Sequence, residues 1–261
     1  MRERPTKGPR RGLTLEQIVQ AGVRVAVSEG LGAVSMGRVA AELGASTMSL
    51  YRYVSAKDEL IDLMMDAAVG LPPQPDPDQG WRAGLSWFAR AYRDVLLQHT
   101  WILRVRISAP PMTPNQIAWL EYALTYLRDT DLTGSEKLST VMTLSGYVRN
   151  VTGLEADITA AVLAAGSNAE AAMLGYGEMY ARVVDPARFP EVGKLIASGV
   201  MDEPDLPDSE FNFGLGRILD GLGVLIDTRR DDSDRDDSDR DDTDRDDTDR
   251  DDSRRDAPSD R

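Results

Sequence analysis

The sequence predicts an all-α protein built in two helical parts. Apolar residues recur at spacings of three and four along most of the chain. Cap residues at Thr14, Ser35, Ser46, Ser55, Thr113 and Thr133 mark helix starts, and no stretch alternates as a half-exposed strand would. Residues 71–80 (LPPQPDPDQG) hold four prolines in ten positions. Proline blocks the helix interior, so this segment reads as a linker between the two parts.

Residues 1–12 are basic, contain Pro and Gly, and have no apolar period, so they read as a flexible arm. An arm of this kind can also touch phosphates or the minor groove beside a main DNA site. Thr14 and Gln17 form a capping box before the apolar face Ile18, Ala21, Gly22, Val25 and Ala26, and Gly30 ends that helix. Ser35 opens a short helix with Met36, Val39, Ala40 and Leu43 inward. Ser46 opens a shorter one reaching Tyr53. Ser55, with Asp58 three residues on, opens a fourth carrying Leu60, Leu63, Met64 and Ala67.

Beyond the linker, Trp81, Leu85, Phe88, Tyr92 and Val95 keep helical spacing. Thr113, Pro114 and Gln116 read as a cap, a first-turn proline and a return acceptor, followed by an inward stripe of Ile117, Leu120, Leu124 and Leu127. Thr133 and Glu136 repeat the capping box before a long helix over about 135–164, with Leu138, Val141, Leu144, Val148, Val151 and Ile158 among its apolar positions. Further helices are expected near 168–184, 190–199 and 209–227. Residues 231–255 repeat with period five (DDSDR, DDTDR, DDSRR) and contain no apolar residue, so 229–261 is expected to lack fixed structure. A solvated tail and an acidic tail competing with DNA for a basic region are the two readings of this segment.

Charge is unevenly placed. The chain has net charge -14, yet residues 1–57 hold 9 Lys or Arg against 4 Glu, and 229–261 hold 16 Asp against 9 Arg. A basic front on an acidic body suits nucleic-acid contact at one end. Cys is absent, which excludes disulfides and thiol chemistry and fits a reducing cytosol. There is no charged-then-apolar leader and no apolar run near 18 residues. The expected location is cytoplasmic, without a membrane span.

Chemistry enters at residues 35–54. Two short helices meet at Leu43-Gly44-Ala45, where Gly44 can take the positive φ of a sharp turn, as a helix-turn-helix requires. The second helix offers Thr47, Met48, Ser49, Arg52 and Tyr53 outward: hydroxyls and a guanidinium for base edges and phosphates, and a thioether for a thymine methyl. Leu50 and Val54 face inward. The ordered string ALGASTMSLYRYVSAKDELIDLM, with Leu43-Gly44, Ser46 to Ser49, Leu50-Tyr51, Tyr53 and Lys57-Asp58-Glu59-Leu60, makes residues 13–69 resemble the TetR family DNA-binding domain. The resemblance implies that double-stranded DNA is a partner. It also implies that Tyr51 contacts phosphate, that Lys57 clamps the backbone at a helix N-terminus, that Ser35 and Arg38 contact backbone and base, and that Thr47, Met48, Ser49 and Arg52 read bases. The competing readings are packing for Tyr51 and a plain solvated charge for Arg38. The organisation expected is a helix-turn-helix domain of three to four helices over 13–70 and a larger helical ligand-binding and dimerisation domain over 81–228.

LLQHTWILRVRISAPPMTPNQIAWLEYAL and SEFNFGLGRILDGLGVLID resemble, more loosely, the C-terminal domain of the tetracycline-repressor subgroup. That implies a homodimer through helices about 135–164 and 209–227, a pseudo-palindromic operator and a small-molecule effector. Residue physics agrees with it. Phe211, Leu215, Ile218, Leu222 and Leu225 form an apolar stripe, and Gly214, Gly216, Gly221 and Gly223 each cost about 1 kcal/mol in a helix interior unless something approaches closely. The resemblance places a pocket among Phe88, Tyr92, Arg104, Gln116, Trp119, Tyr147 and Asn150. The competing readings are core for Phe88 and Tyr92 and exposure for Gln116 and Asn150. Tetracycline repressors hold a metal–drug chelate with histidines. This chain has one, His99, and Arg106 stands about where the metal-binding histidine would align, so neither a metal nor a magnesium–tetracycline effector is expected, and no cofactor. With one His and no nucleophile–base pair or phosphate loop, an enzyme is not expected. The alternative kept open is a DNA-binding protein controlled by a protein partner. The function expected is a repressor released from its palindromic operator by a small-molecule ligand, with activation left open because the sign depends on where the operator lies relative to the promoter.

Overall fold

The structure, a computed structural model, describes residues 13–74, 78–107, 110–166, 176–202 and 208–252. The helices are α1 (Leu15–Glu29), α2 (Met36–Glu42), α3 (Thr47–Leu50), α4 (Lys57–Val69), α5 (Trp81–Gln98), α6 (Pro114–Tyr126), α7 (Gly134–Ala164), α8 (Tyr176–Val183), α9 (Pro190–Ala197) and α10 (Ser209–Asp252), with short 3-10 turns at Leu31–Ala33, Thr100–Arg104 and Val200–Asp202. No strand occurs among the described residues. The basic arm lies outside them, as do the start of the helix expected at 168 and the end of the tail.

The first four helices enclose a core of Ile18, Val25, Val39, Leu50, Val54, Leu60 and Met64. The α1 capping box forms: Thr14 and Gln17 exchange bonds between each side chain and the other's backbone N–H. Ser35 Oγ accepts from Arg38 N and starts α2. Gly44, at φ 61°, turns the chain between α2 and α3. Two expectations need correction. The fourth helix begins at Lys57 after Ala56, and Ser55 donates to Glu59 instead of pairing with Asp58. Ala67 is exposed, and Val69 takes the inward place.

In the second part, α5, α6, α7 and α10 pack around Leu85, Leu96, Leu127, Leu144, Leu215 and Ile226. The α7 capping box forms between Thr133 and Glu136. Thr113 does not cap α6 with its side chain. The stripe of α6 is rotated from expectation: Ile117 is exposed while Trp119, Ala123 and Tyr126 are buried. Leu138 and Ile158 of α7 are exposed as well. The glycines of α10 divide. A Cβ at Gly214 would overlap the Tyr147 ring, and one at Gly223 would make ordinary contact with Trp81, whereas Gly216 and Gly221 face open space.

The largest correction concerns the tail. The last helix does not stop near 227 but continues through the Asp/Arg repeat to Asp252. At the start of the repeat Asp232 pairs with Arg229 three residues before it and with Arg235 three residues after it, as helical spacing allows. This helix leaves at the end remote from the first four helices. Arg82–Asp220 and Arg93–Asp208 set α5 and α10 antiparallel, and α5 ends at the Thr100–Arg104 turn, which packs on α1. Residues 229–252 therefore lead about 35 Å away from the basic front.

Candidate functional site

The outward surface of the head, α1 to α4, is made by α3, the turn after it and the first residue of α4. Leu50 and Val54 are buried and fix this segment to the core. Met48 is 73% exposed, Tyr51, Arg52, Tyr53 and Lys57 are exposed, and Thr47 and Ser49 are half-buried. Ser49 Oγ shares a 2.8 Å hydrogen bond with Ser46 Oγ. Arg52 and Lys57 have no carboxylate partner among the described residues. Arg24, by contrast, reaches Glu42. Arg38 bonds both Glu29 and Glu42, and its hydrogen bond holds the Glu29 carboxyl below the usual range. Arg38 thus bridges α1 and α2 through Glu29 and Glu42, and Ser35 Oγ accepts the cap bond of α2. Lys57 stands in the first turn of α4, where no side chain caps the free N–H groups and the helix dipole favours an anion.

The residues predicted to line a pocket do not converge on one cavity. Phe88, Tyr92 and Trp119 pack on one another, with ring centroids 5.7–6.1 Å apart, and Phe88 and Trp119 are buried. Tyr147 donates to the carbonyls of Glu210 and Phe211 at the start of α10. Gln116 lies in the first turn of α6. Arg104 and Asn150 line a separate cleft of about 1140 Å³, bounded by the end of α1, the Leu31–Ala33 and Thr100–Arg104 turns and the second half of α7.

Two residues not singled out in the sequence, Asp66 and Gly70, join head to body, and a third, Arg149, ties elements within the body. Asp66 of α4 accepts from the backbone N–H groups of Asn115 (2.9 Å) and Gln116 (3.3 Å), so it caps α6 from another element, and its own carbonyl accepts from Asn115 Nδ2. The Gly70 carbonyl at the end of α4 accepts from Trp119 Nε1 at 3.0 Å. Arg149 of α7 donates to the Tyr92 hydroxyl and to the carbonyls of Ile102 and Val105. No sequence signal identifies such a cap, because Asp66 and Asn115 are 49 residues apart. No group of His, Asp or Glu that could hold a metal occurs among the described residues, and no helix there is long and apolar enough to cross a membrane.

The comparisons agree with this geometry. The family of bacterial regulatory proteins, tetR family, matches residues 18–64, and the tetracyclin repressor-like C-terminal domain matches residues 74–226. The HTH-type transcriptional repressor DrrR1 of Streptomyces coeruleorubidus is 38% identical over 88% of this chain and 84% of its own. The structure is similar to that of the TetR family protein ActR of Streptomyces coelicolor in complex with actinorhodin, with 26% identity, coverage of 82% of this chain and 97% of that one, and TM-score 0.68. It is similar also to ActR in complex with (S)-DNPA, with 27% identity, coverage of 82% and 99%, and TM-score 0.64. Helix-turn-helix, helical body and both domain matches lead to one conclusion: the chain belongs to the TetR family and is a DNA-binding transcription regulator, not an enzyme.

Proposed function

We propose that the protein is a repressor, released from a pseudo-palindromic operator when its body binds a small organic molecule, and that it acts as a cytoplasmic homodimer. The observation that carries this reading is the seam between α4 and α6. The last helix of the head supplies the cap of a body helix through Asp66 and an acceptor to Trp119 through Gly70. A change in body shape therefore moves α4. Only a ligand that favours one of the two shapes can shift DNA affinity through such a seam. The repressor relative and the ActR complexes with actinorhodin and (S)-DNPA support the same reading.

The domain limits that go with it are 13–70 for the head and 81–228 for the body. The dimer uses α7 and α10. Phe213 and Val224 lie on the outward side of α10, 68% and 69% exposed, and Leu138 and Met142 are exposed on the adjoining half of α7. Arg229–Glu136 and the Tyr147 bonds hold these two helices side by side. Gly216 and Gly221, facing open space, leave room for a second copy.

The head reads DNA with Thr47, Met48, Ser49 and Arg52 toward bases and Tyr51, Tyr53 and Lys57 toward phosphates. The test is salt-dependent binding to the protein's own upstream intergenic DNA. Lys57→Ala is expected to weaken binding on every sequence and to reduce the salt slope by about one. Arg52→Ala is expected to lose about 1–3 kcal/mol on the specific site alone. Equal losses for Arg52→Ala on specific and random DNA would remove it from base reading.

A further inference from the structure

We propose that the cleft between head and body is the effector site, that its ligand is an organic acid with a sizeable apolar body, and that Arg149 binds the acid group. This rests on the reading of the chain as a ligand-responsive regulator.

The argument starts from how the body treats its arginines. Arg93 is paired with Glu155 and Asp208, Arg104 with Asp157, Arg229 with Glu136, and Arg82 with Asp220. Arg149 is half-buried and has no carboxylate partner among the described residues. Its bonds, 3.3 to 3.5 Å long, go to three neutral oxygens. A partly desolvated guanidinium without a counter-charge is costly, and an entering carboxylate recovers that cost through short bidentate bonds. The two carboxylates in the cleft wall, Glu155 and Asp157, are already matched by Arg93 and Arg104 and do not compete for this role.

The rest of the cleft fits an apolar body. Val27, Leu31, Leu103, Leu154 and Leu163 line it. Trp101, also in the wall, is 4% exposed, and its indole N–H is buried without a partner among the described residues. The cleft's volume of about 1140 Å³ lies just above the range of about 300–1,000 Å³ usual for ligand pockets, so a ligand with a sizeable body has room. The position also explains a response. Arg149 holds the carbonyls of Ile102 and Val105 at the end of the turn that packs on α1, and Val27 and Leu31 belong to the head itself. An acid that draws Arg149 off these carbonyls acts on both domains at once. Leu138 and Met142, offered above for the dimer, lie on the first half of α7, and the cleft is lined by residues from Gly146 onward.

The experiment titrates the full chain by calorimetry with 2-naphthoate and with its neutral isostere 2-naphthamide. Naphthoate is expected to bind at least ten-fold more tightly than the amide. Arg149→Gln is expected to bring that ratio to near one, Arg149→Lys to keep part of it, and Arg229→Gln to leave it unchanged. Saturating naphthoate is expected to weaken operator binding ten-fold or more in the parent and not in Arg149→Gln. No acid preference, or a preference that survives Arg149→Gln, overturns the proposal. So does light scattering that shows Arg149→Lys to be monomeric where the parent is dimeric, because a second copy then covers the cleft. Operator binding by the ligand-free parent separates the two levels. If it is intact while the acid preference is missing, the cleft assignment alone fails. If it is absent, the wider reading fails.

Discussion

Head and body use the same cations in opposite ways. In the head, Arg24 and Arg38 are spent on Glu29 and Glu42, while Arg52 and Lys57 stand exposed and unpaired on the helix-turn-helix surface. In the body, Arg82, Arg93, Arg104 and Arg229 each bridge to a carboxylate on another element, whereas the half-buried Arg149 bonds only neutral oxygens. Burial pushes the Arg93 guanidinium down, yet Glu155 and Asp208 outweigh it and hold the net shift upward. A cation tied to its own chain positions helices, and a cation left without a counter-charge recognises an anion from outside. The two parts also differ in how they pack against glycine. In the head, Gly22 lies against the flexible Met64 thioether, and in the body Gly84 lies under the rigid Tyr126 ring.

The packing contrast gives the largest expected effect. Gly84→Ala would drive a Cβ into the Tyr126 ring, which cannot yield without moving α6, and is expected to cost about 3 kcal/mol. Gly22→Ala places a Cβ 2.6 Å from Met64 Sδ, which can rotate away, and is expected to cost about 1 kcal/mol or less. Thermal melts of the two variants measure the difference, and equal losses would erase the contrast.

The charge contrast predicts a double dissociation. Arg93→Gln, which cuts ties to α7 and α10, is expected to lower stability by about 1–2 kcal/mol and leave ligand-free operator affinity unchanged. The figure is discounted because both carboxylates are substantially exposed. Arg52→Gln is expected to do the reverse. Denaturant titration beside operator titration decides it, and a single variant that moves both quantities would break the division.

Asp66→Ala is a smaller perturbation placed on the boundary between the two parts. Losing the cap is expected to cost about 1 kcal/mol and to speed hydrogen exchange at the Asn115 and Gln116 amides. Unchanged exchange there would show that the seam does not depend on this carboxylate. The smallest effect concerns pH. Burial lowers the His99 imidazole from its usual 6.5, so the folded state favours the neutral form. The contribution is full above pH 6.5 and is lost as pH falls through the lower folded value. His99→Gln is expected to flatten the melting-temperature slope between pH 7 and 5, and a slope that persists would assign it to another group.

Much of this architecture was legible because its signals are local. Capping boxes at Thr14 and Thr133, the turn at Gly44 and the inward pair Leu50 and Val54 depend on residues within a few positions of one another, and the structure places them as read. The outward set Met48, Tyr51, Arg52, Tyr53 and Lys57 was legible for the same reason. The pocket was not. Phe88, Tyr92 and Trp119 have helical spacing whether they line a cavity or fill a core, and only the packing of α5 on α6 shows that they fill it. The tail differed in the other direction: without apolar residues it promises no burial, yet the last helix runs on to Asp252, with Asp232 paired to Arg229 and Arg235 at its start.

By itself, then, the sequence determined an all-helical chain, a basic helix-turn-helix head, a Pro-rich break and a separate helical body, because periodicity, caps and turn residues act over short distances along the chain. Tertiary structure alone decided that Asp66 caps α6, that Arg38 bridges α1 and α2, that Arg149 lacks a counter-charge and that a cleft opens between α1 and α7. Each of these depends on which distant side chains meet in space, and hydrogen bonding and charge compensation between residues far apart in the chain leave no trace in their spacing.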